Sequence, residues 1–288
     1  MGAVSTAFVK QYGNNVMMLA QQKGSRLRDA VLVKSGVVGE ETYLDQIAKT
    51  DARKKTTRHA DTPIIDADHR RRKIFLYDWE HPTLLDKSDE LKMLVDPTNS
   101  YVVTAGYALG RAIDQEINDN VFATAYTGKE GGTSESFPGG NSIAHGSTGL
   151  TIAKLRSAKQ IIDLNDVDDD EPRFIAVTAY QITNLLETTE VTSSDYNSVK
   201  ALVAGEIDTF LGFKFIRLSS NILTVASSIR SCIAWAKNGI GIAIAQDITA
   251  RISERADKSY ATQVYASLGL GAARIDSDRV VRIYCDES

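Results

Sequence analysis

Apolar side chains at Val102, Ala105, Leu109, Ile113, Ile117, Val121 and Ala125 recur every three to four residues, the spacing of one helix face. Asp96 and Pro97 supply an N-cap and a first-turn proline and Gly128 a stop, so the spacing predicts one helix over residues 97–127. At 1.5 Å per residue that rod is roughly 45 Å long, where the usual globular helix has about 11–12 residues. A rod of this length crosses a whole domain and sets its long dimension. Gly106 and Gly110 each cost it about 1 kcal/mol relative to alanine. Their GxxxG spacing admits close backbone approach, but Arg111, Asp114 and Glu116 beside them exclude a membrane dimer motif.

The stretch before the rod has the opposite character. Within residues 51–92, two charged, strand-compatible runs flank Asp61 to Asp68 with too few apolar residues for a core, which reads as a projecting hairpin. Its near half carries Arg53, Lys54, Lys55, Arg58, Arg70, Arg71, Arg72 and Lys73; Asp78, Glu80, Asp86, Asp89 and Glu90 follow. A basic arm on an acidic root suits lying across a neighbour's acidic surface, which makes those cations the candidate inter-subunit contacts. In a solvated hairpin the same charges would blunt edge-to-edge aggregation. On the first reading, reversing Arg70, Arg71 and Arg72 to glutamate should leave a folded subunit that assembles poorly.

Elsewhere the chain divides into shorter elements. Phe8, Tyr12, Val16, Met17, Leu19 and Ala20 predict a helix over residues 5–22 ended by Gly24, and Leu27 to Val38 reads as an extended arm. Residues 128–149 form a Gly/Ser-rich loop that marks a boundary. Thr151 to Ile162 predicts a helix, Asp163 to Glu171 an acidic turn, Arg173 to Val177 a buried strand and Tyr180 to Leu186 a helix. After a turn at 205–213 come strand candidates at 213–218, 222–226 and 229–235, then a helix from Ile240 to Arg255. Residues 262–268 and 279–285 alternate as a closing hairpin.

The chemistry-bearing motifs fail on inspection. Gly269-Leu270-Gly271 and Gly239-Ile240-Gly241 lack the third glycine of a dinucleotide fingerprint, and no GxxxxGK[ST] occurs. Gly140-Asn141-Ser142-Ile143-Ala144 misses the last glycine of a nucleophile elbow. Asp163, Asn165, Asp166, Asp168, Asp169 and Asp170 lack the glycine and terminal glutamate of an EF-hand, and His59, His69 and His81 lack the i, i+4 spacing of a helical metal pair. Cys232 and Cys285 form no CxxC pattern; they suit a reducing cytoplasm and leave a disulfide between them open. With 288 residues, 43% apolar, the chain can bury a large core in one or two domains. A net charge of -4 gives no global pull toward nucleic acid or anionic membrane. No apolar run approaches the ~18 residues that span a bilayer, and Met1 to Thr6 fits only a short myristoylation pattern.

In order and spacing, Leu211-Gly212-Phe213 with Phe215 and Ile216, Cys232 to Lys237, Ile244 to Ile248, Gly269 to Arg274 and Val280 to Ile283 resemble the major capsid proteins of tailed bacteriophages. That resemblance implies the α+β Hong Kong 97-like fold: an N-terminal arm (1–50), an extended loop (51–92), a peripheral domain (93–171) holding a spine helix (97–127), an axial domain (172–257) and closing strands returning to the peripheral domain (258–288). It implies a structural protein rather than an enzyme, without cofactor or metal. Its copies would join as pentamers and hexamers into an icosahedral shell around double-stranded DNA, bound without sequence specificity. The further expected partners are a separate scaffolding protein, a portal and a decoration protein, with no membrane, and assembly would take place in the bacterial host cytoplasm. A near-neutral wall suits this, because a strongly basic one would hold packaged DNA through counterion release. Two alternatives stand beside it: an encapsulin-like cellular compartment, and a soluble enzyme with its site around Asp163 to Glu171.

Overall fold

The computed structural model describes residues 21–58, 61–62, 64–86, 98–187 and 209–287. The helix expected over 5–22, His59, the Asp96-Pro97 cap, and Asp89 and Glu90 lie outside them, apart from the last residues of that helix. In chain order the elements are β1 (Leu32–Ser35), β2 (Glu41–Ile47), β3 (His69–Phe75), β4 (Tyr77–Leu85), α1 (Thr98–Val121), β5 (Ala125–Thr127), β6 (Thr133–Glu135) and β7 (Ser142–Ile143). They continue with α2 (Ile152–Leu164), β8 (Arg173–Val177), α3 (Ala179–Glu187), β9 (Thr209–Phe210), β10 (Phe213–Arg217), β11 (Val225–Ala226), β12 (Ile229–Ala236), β13 (Ile240–Arg255), β14 (Ala261–Arg274) and β15 (Val280–Asp286).

Among the described residues the strands form three sheets. The first runs β1-β13-β14-β4, the second β7-β15-β12-β8-β10-β9 with β11 beside β12, and the third β2-β3-β5-β6. The long helix is real, and its apolar stripe of Ala105, Leu109, Ile113, Ile117 and Val121 is buried against the first sheet. Each such Leu or Ile contributes about 1.5–3 kcal/mol of burial. It ends at Val121, earlier than its periodicity suggests, because Ala125 to Thr127 turn into β5 and pair with Arg72 and Lys73 of β3.

The second sheet is covered on both faces, which explains why β12 is buried along nearly its whole length and apolar from Cys232 to Ala236. Its Ile233 and Trp235 join the core under α1, while Cys232, Ala234 and Ala236 join a second core closed by α2 and α3. Thr151 caps α2, its side chain accepting from the Lys154 N–H.

Several sequence expectations give way here. Ile240 to Arg255 is not a helix but a 16-residue strand, paired with β14 along its length and with β1 at its start. Ile240, Ile242 and Ile244 alternate with period two, and this β-branched alternation prevails over the Ala-rich composition. Residues 262–268 and 279–285 do not form a hairpin: β14 lies between β13 and β4, whereas β15 pairs with β12 and β7 in the other sheet. Gly271 is what lets β14 pass the end of β3, since a Cβ there would sit 1.7 Å from the Phe75 carbonyl oxygen.

Leu27 to Val38 is not a free arm either. Leu27, Ala30 and Val31 are buried in the main core, and the Trp235 indole donates to the Ala30 carbonyl at 2.9 Å. The loop over 128–149 is tied down by β6, β7 and the Asn141 amide, which donates to the Ser277 carbonyl at 2.7 Å.

Candidate assembly surfaces

β2 and β3 form a hairpin, so its legs are not two runs within 51–92, and these legs do not project free: Thr42, Arg72 and Ile74 are buried and the Gln46 amide donates to the Ile275 carbonyl at 3.0 Å. The hairpin's register runs from Glu41 opposite Phe75 to Ile47 opposite His69, and the Ala48 N–H to Asp68 carbonyl bond of 2.8 Å is its last rung. Beyond that rung the described residues between 49 and 67 form no strand and are nearly all exposed, Ile64 and Ile65 included.

The candidate contact cations separate into two groups. Arg70 pairs with Asp68 at 3.1 Å, Arg71 with Asp45 at 2.6 Å, and Lys73 with Glu41, all within the hairpin. Arg72 is only 5% exposed; it donates to Glu135 at 2.9 Å and to the Ile275 carbonyl at 2.7 Å. Arg72 is therefore an internal tie between sheets and not available to a neighbour. Its reversal would set a glutamate against Glu135, so the triple reversal of Arg70, Arg71 and Arg72 should disturb the subunit itself and not only its assembly. Arg53, Lys54, Lys55 and Arg58 are exposed and make no ion pair with any described residue.

The acidic root is β4. Asp78 and Glu80 are exposed at the outer edge of the first sheet, where no described strand pairs with β4 on its far side. The Tyr265 hydroxyl donates to Glu80 at 3.2 Å, and that bond, burial and the charges of Glu80 and Asp78 push the phenol up. At the opposite edge, β1 covers only the start of β13, leaving residues 245–255 exposed.

Two internal anchors escaped the sequence reading. Asp114 of α1 is wholly buried and accepts from Gln22 Nε2 (2.5 Å), Ser25 Oγ (2.6 Å), Arg26 N (3.1 Å) and Leu27 N (3.0 Å). Gly110 permits this, because a Cβ there would stand 2.5 Å from the Gly24 Cα. Arg274, also wholly buried, donates to the Val121 and Ala123 carbonyls at the end of α1 and to the Glu135 carbonyl. Burial, then repulsion from Arg72, pulls its guanidinium down to about 10. A carboxylate inside an apolar helix stripe and an arginine closing an apolar strand were the available signals.

The acidic turn is engaged structurally. Asp163 and Asp169 bind Arg173, and Asp166 pairs with Lys49 at 2.7 Å. Among the described residues no cluster of three His, Cys, Asp or Glu could hold a metal ion, and no helix is long and apolar enough to cross a membrane. Cys232 and Cys285 are free, buried thiols.

Residues 4–287 match the model of one protein family, described as phage capsid protein. The chain belongs to the phage capsid protein family. Solved structures similar to this capsid chain include the capsid of cyanophage P-SCSP1u, at TM-score 0.69 and 15% identity, covering 98% of this chain and 94% of that one. A chain of Mycobacterium phage Cain follows at TM-score 0.68 and 15% identity, covering 99% and 97%. The capsid of Ralstonia phage GP4 aligns at TM-score 0.69 and 10% identity, covering 97% and 95%. At such identities the likeness is one of fold, mixed α+β throughout. No curated protein matches the capsid chain's sequence.

Proposed function

We propose that this chain is the major capsid protein of a tailed phage, a shell subunit whose copies close into pentamers and hexamers around double-stranded DNA. The observation that carries the reading is the described part of the segment from 49 to 67: nearly all exposed, without a strand, and bearing Arg53, Lys54, Lys55 and Arg58, which have no described acidic partner in their own chain. A segment that cannot bury enough apolar surface at home is ordered by neighbours or not at all. The β2–β3 hairpin with this segment takes the role of the extended loop, α1 that of the spine helix, and the first sheet that of the peripheral domain. Strands 173–236 with α3 take the axial role, which leaves β13 to the peripheral sheet. Scaffolding, portal and decoration partners, and assembly in the host cytoplasm, belong to the same proposal. The chain's net charge of -4 fits a wall that must release its DNA.

The test is to purify the assembled material and analyse its contents. Double-stranded DNA inside closed particles from infected cells supports the reading. A single co-purifying enzyme in place of DNA would turn it toward a cellular compartment.

A further inference from the structure

We infer that the outer edge of β4, at Asp78 and Glu80, is the docking surface for the basic segment Arg53 to Arg58 of a second copy of this chain. This deepens the capsid reading and rests on it. Four observations carry it.

First, the carboxylates of the hairpin legs and their flank are already used: Asp68, Asp45 and Glu41 hold Arg70, Arg71 and Lys73, and Glu135 holds Arg72, while the exposed Asp51, Asp61 and Asp66 lie outside the run from 53 to 58. What remains is a compact run of exposed positive charge at Arg53, Lys54, Lys55 and Arg58. Second, Asp78 and Glu80 are exposed and make no ion pair with any described residue; Glu80 accepts from the Tyr265 hydroxyl. The charges of Glu80 and Asp78 add to that hydrogen bond in pushing the Tyr265 phenol up.

Third, β4 ends its sheet, so its outward carbonyls have no described strand to bond. Pro82 withholds an N–H, which leaves carbonyls and charges rather than a full ladder to receive an extended basic segment. Leu84 and Tyr77, 47% and 53% exposed, add apolar area at either end of the strand. Fourth, no ion pair or hydrogen bond among the described residues joins the two patches within one chain. In the sequence the segment precedes β3, and the seven residues of that strand, about 23 Å of chain, come between it and β4.

A patch on one copy that fits a different patch on the next is a head-to-tail interface, the type that closes into rings. Opposite charge supplies the direction and register of docking.

The experiment reverses each side. R53E/K54E/K55E gives a chain with an acidic segment and an acidic edge; D78K/E80K gives one with a basic segment and a basic edge. Each variant, folded by circular dichroism, should raise the critical concentration for assembly by about tenfold or more over wild type. Mixed one to one, the two become complementary at every junction of an alternating ring. Assembly should then return, as six-membered rings and their extended arrays, because an alternating ring cannot close with five members. A chain carrying both sets of substitutions should assemble alone and recover pentamers.

Normal assembly of either single variant, or no recovery in the mixture, overturns the proposal. So does a segment variant that assembles normally but loses double-stranded DNA in a gel-shift assay, which would give the cations to nucleic acid. Wild type is the control that separates the two readings: if it forms no shells even in infected cells, where its partners are present, the capsid reading fails first.

Discussion

Replacing Asp114 by alanine should cost the subunit about 3–4 kcal/mol, a large share of the 5–15 kcal/mol that holds a typical domain. Its carboxylate takes four donors from the segment 22–27. The bonds from Leu27 N and the Gln22 amide are buried, whereas those from Ser25 and Arg26 are half-buried and can turn to water. An orphaned buried donor costs about 1–3 kcal/mol, so the two buried ones set the figure. Asparagine at 114 keeps an oxygen for the backbone pair and should lose about half as much. Urea unfolding below the assembly concentration measures this. Trp235 is a reporter in the right place, since its indole bonds the Ala30 carbonyl just past the anchored turn. If Asp114→Ala unfolds within about 0.5 kcal/mol of wild type, the segment is not held by this carboxylate and the anchoring argument is wrong.

The glycines of α1 should separate under the same assay: Gly110→Ala, whose Cβ would strike the Gly24 backbone, should destabilise, while Gly106→Ala, with open space around it, should gain about 0.5–1 kcal/mol. Glu116 is buried on α1, and desolvation pushes its carboxyl up against the opposing Asn120 bond. A raised carboxyl holds its proton more tightly when folded, so its penalty is absent at low pH and grows as pH rises through the folded value. Glu116→Gln should therefore raise the melting temperature at pH 7, with the gap closing as pH falls toward the ordinary value of 4.5. Arg72→Glu should yield aggregated or unfolded protein by circular dichroism, in contrast to the folded chain expected from reversing Arg53, Lys54 and Lys55.

Much of the fold was legible where burial and period agree. The α1 stripe from Ala105 to Val121 and the buried strand Arg173 to Val177 follow directly from their spacing. Period alone misled at Ile240 to Arg255, where helix and strand readings compete and the pairing with residues 261–274 decides. Strand partners are long-range facts, so the true legs of the hairpin, 41–47 and 69–75, could not be separated from the charged run at 51–58. The cations were visible as a group, but which of them were already spent on Asp45, Asp68, Glu41 and Glu135 was not. The same holds for Asp78 and Glu80: their charge is in the sequence, and their place on an open sheet edge is not.

Sedimentation velocity of the purified wild-type chain over a range of concentrations addresses the shell-subunit account most directly. The account predicts that, above a critical concentration, material sediments in the megadalton range while free 31.4 kDa subunits stay at a fixed level. A chain that remains a monomer or small oligomer at every concentration, with residues 49–67 protected from proteolysis in that state, would contradict it.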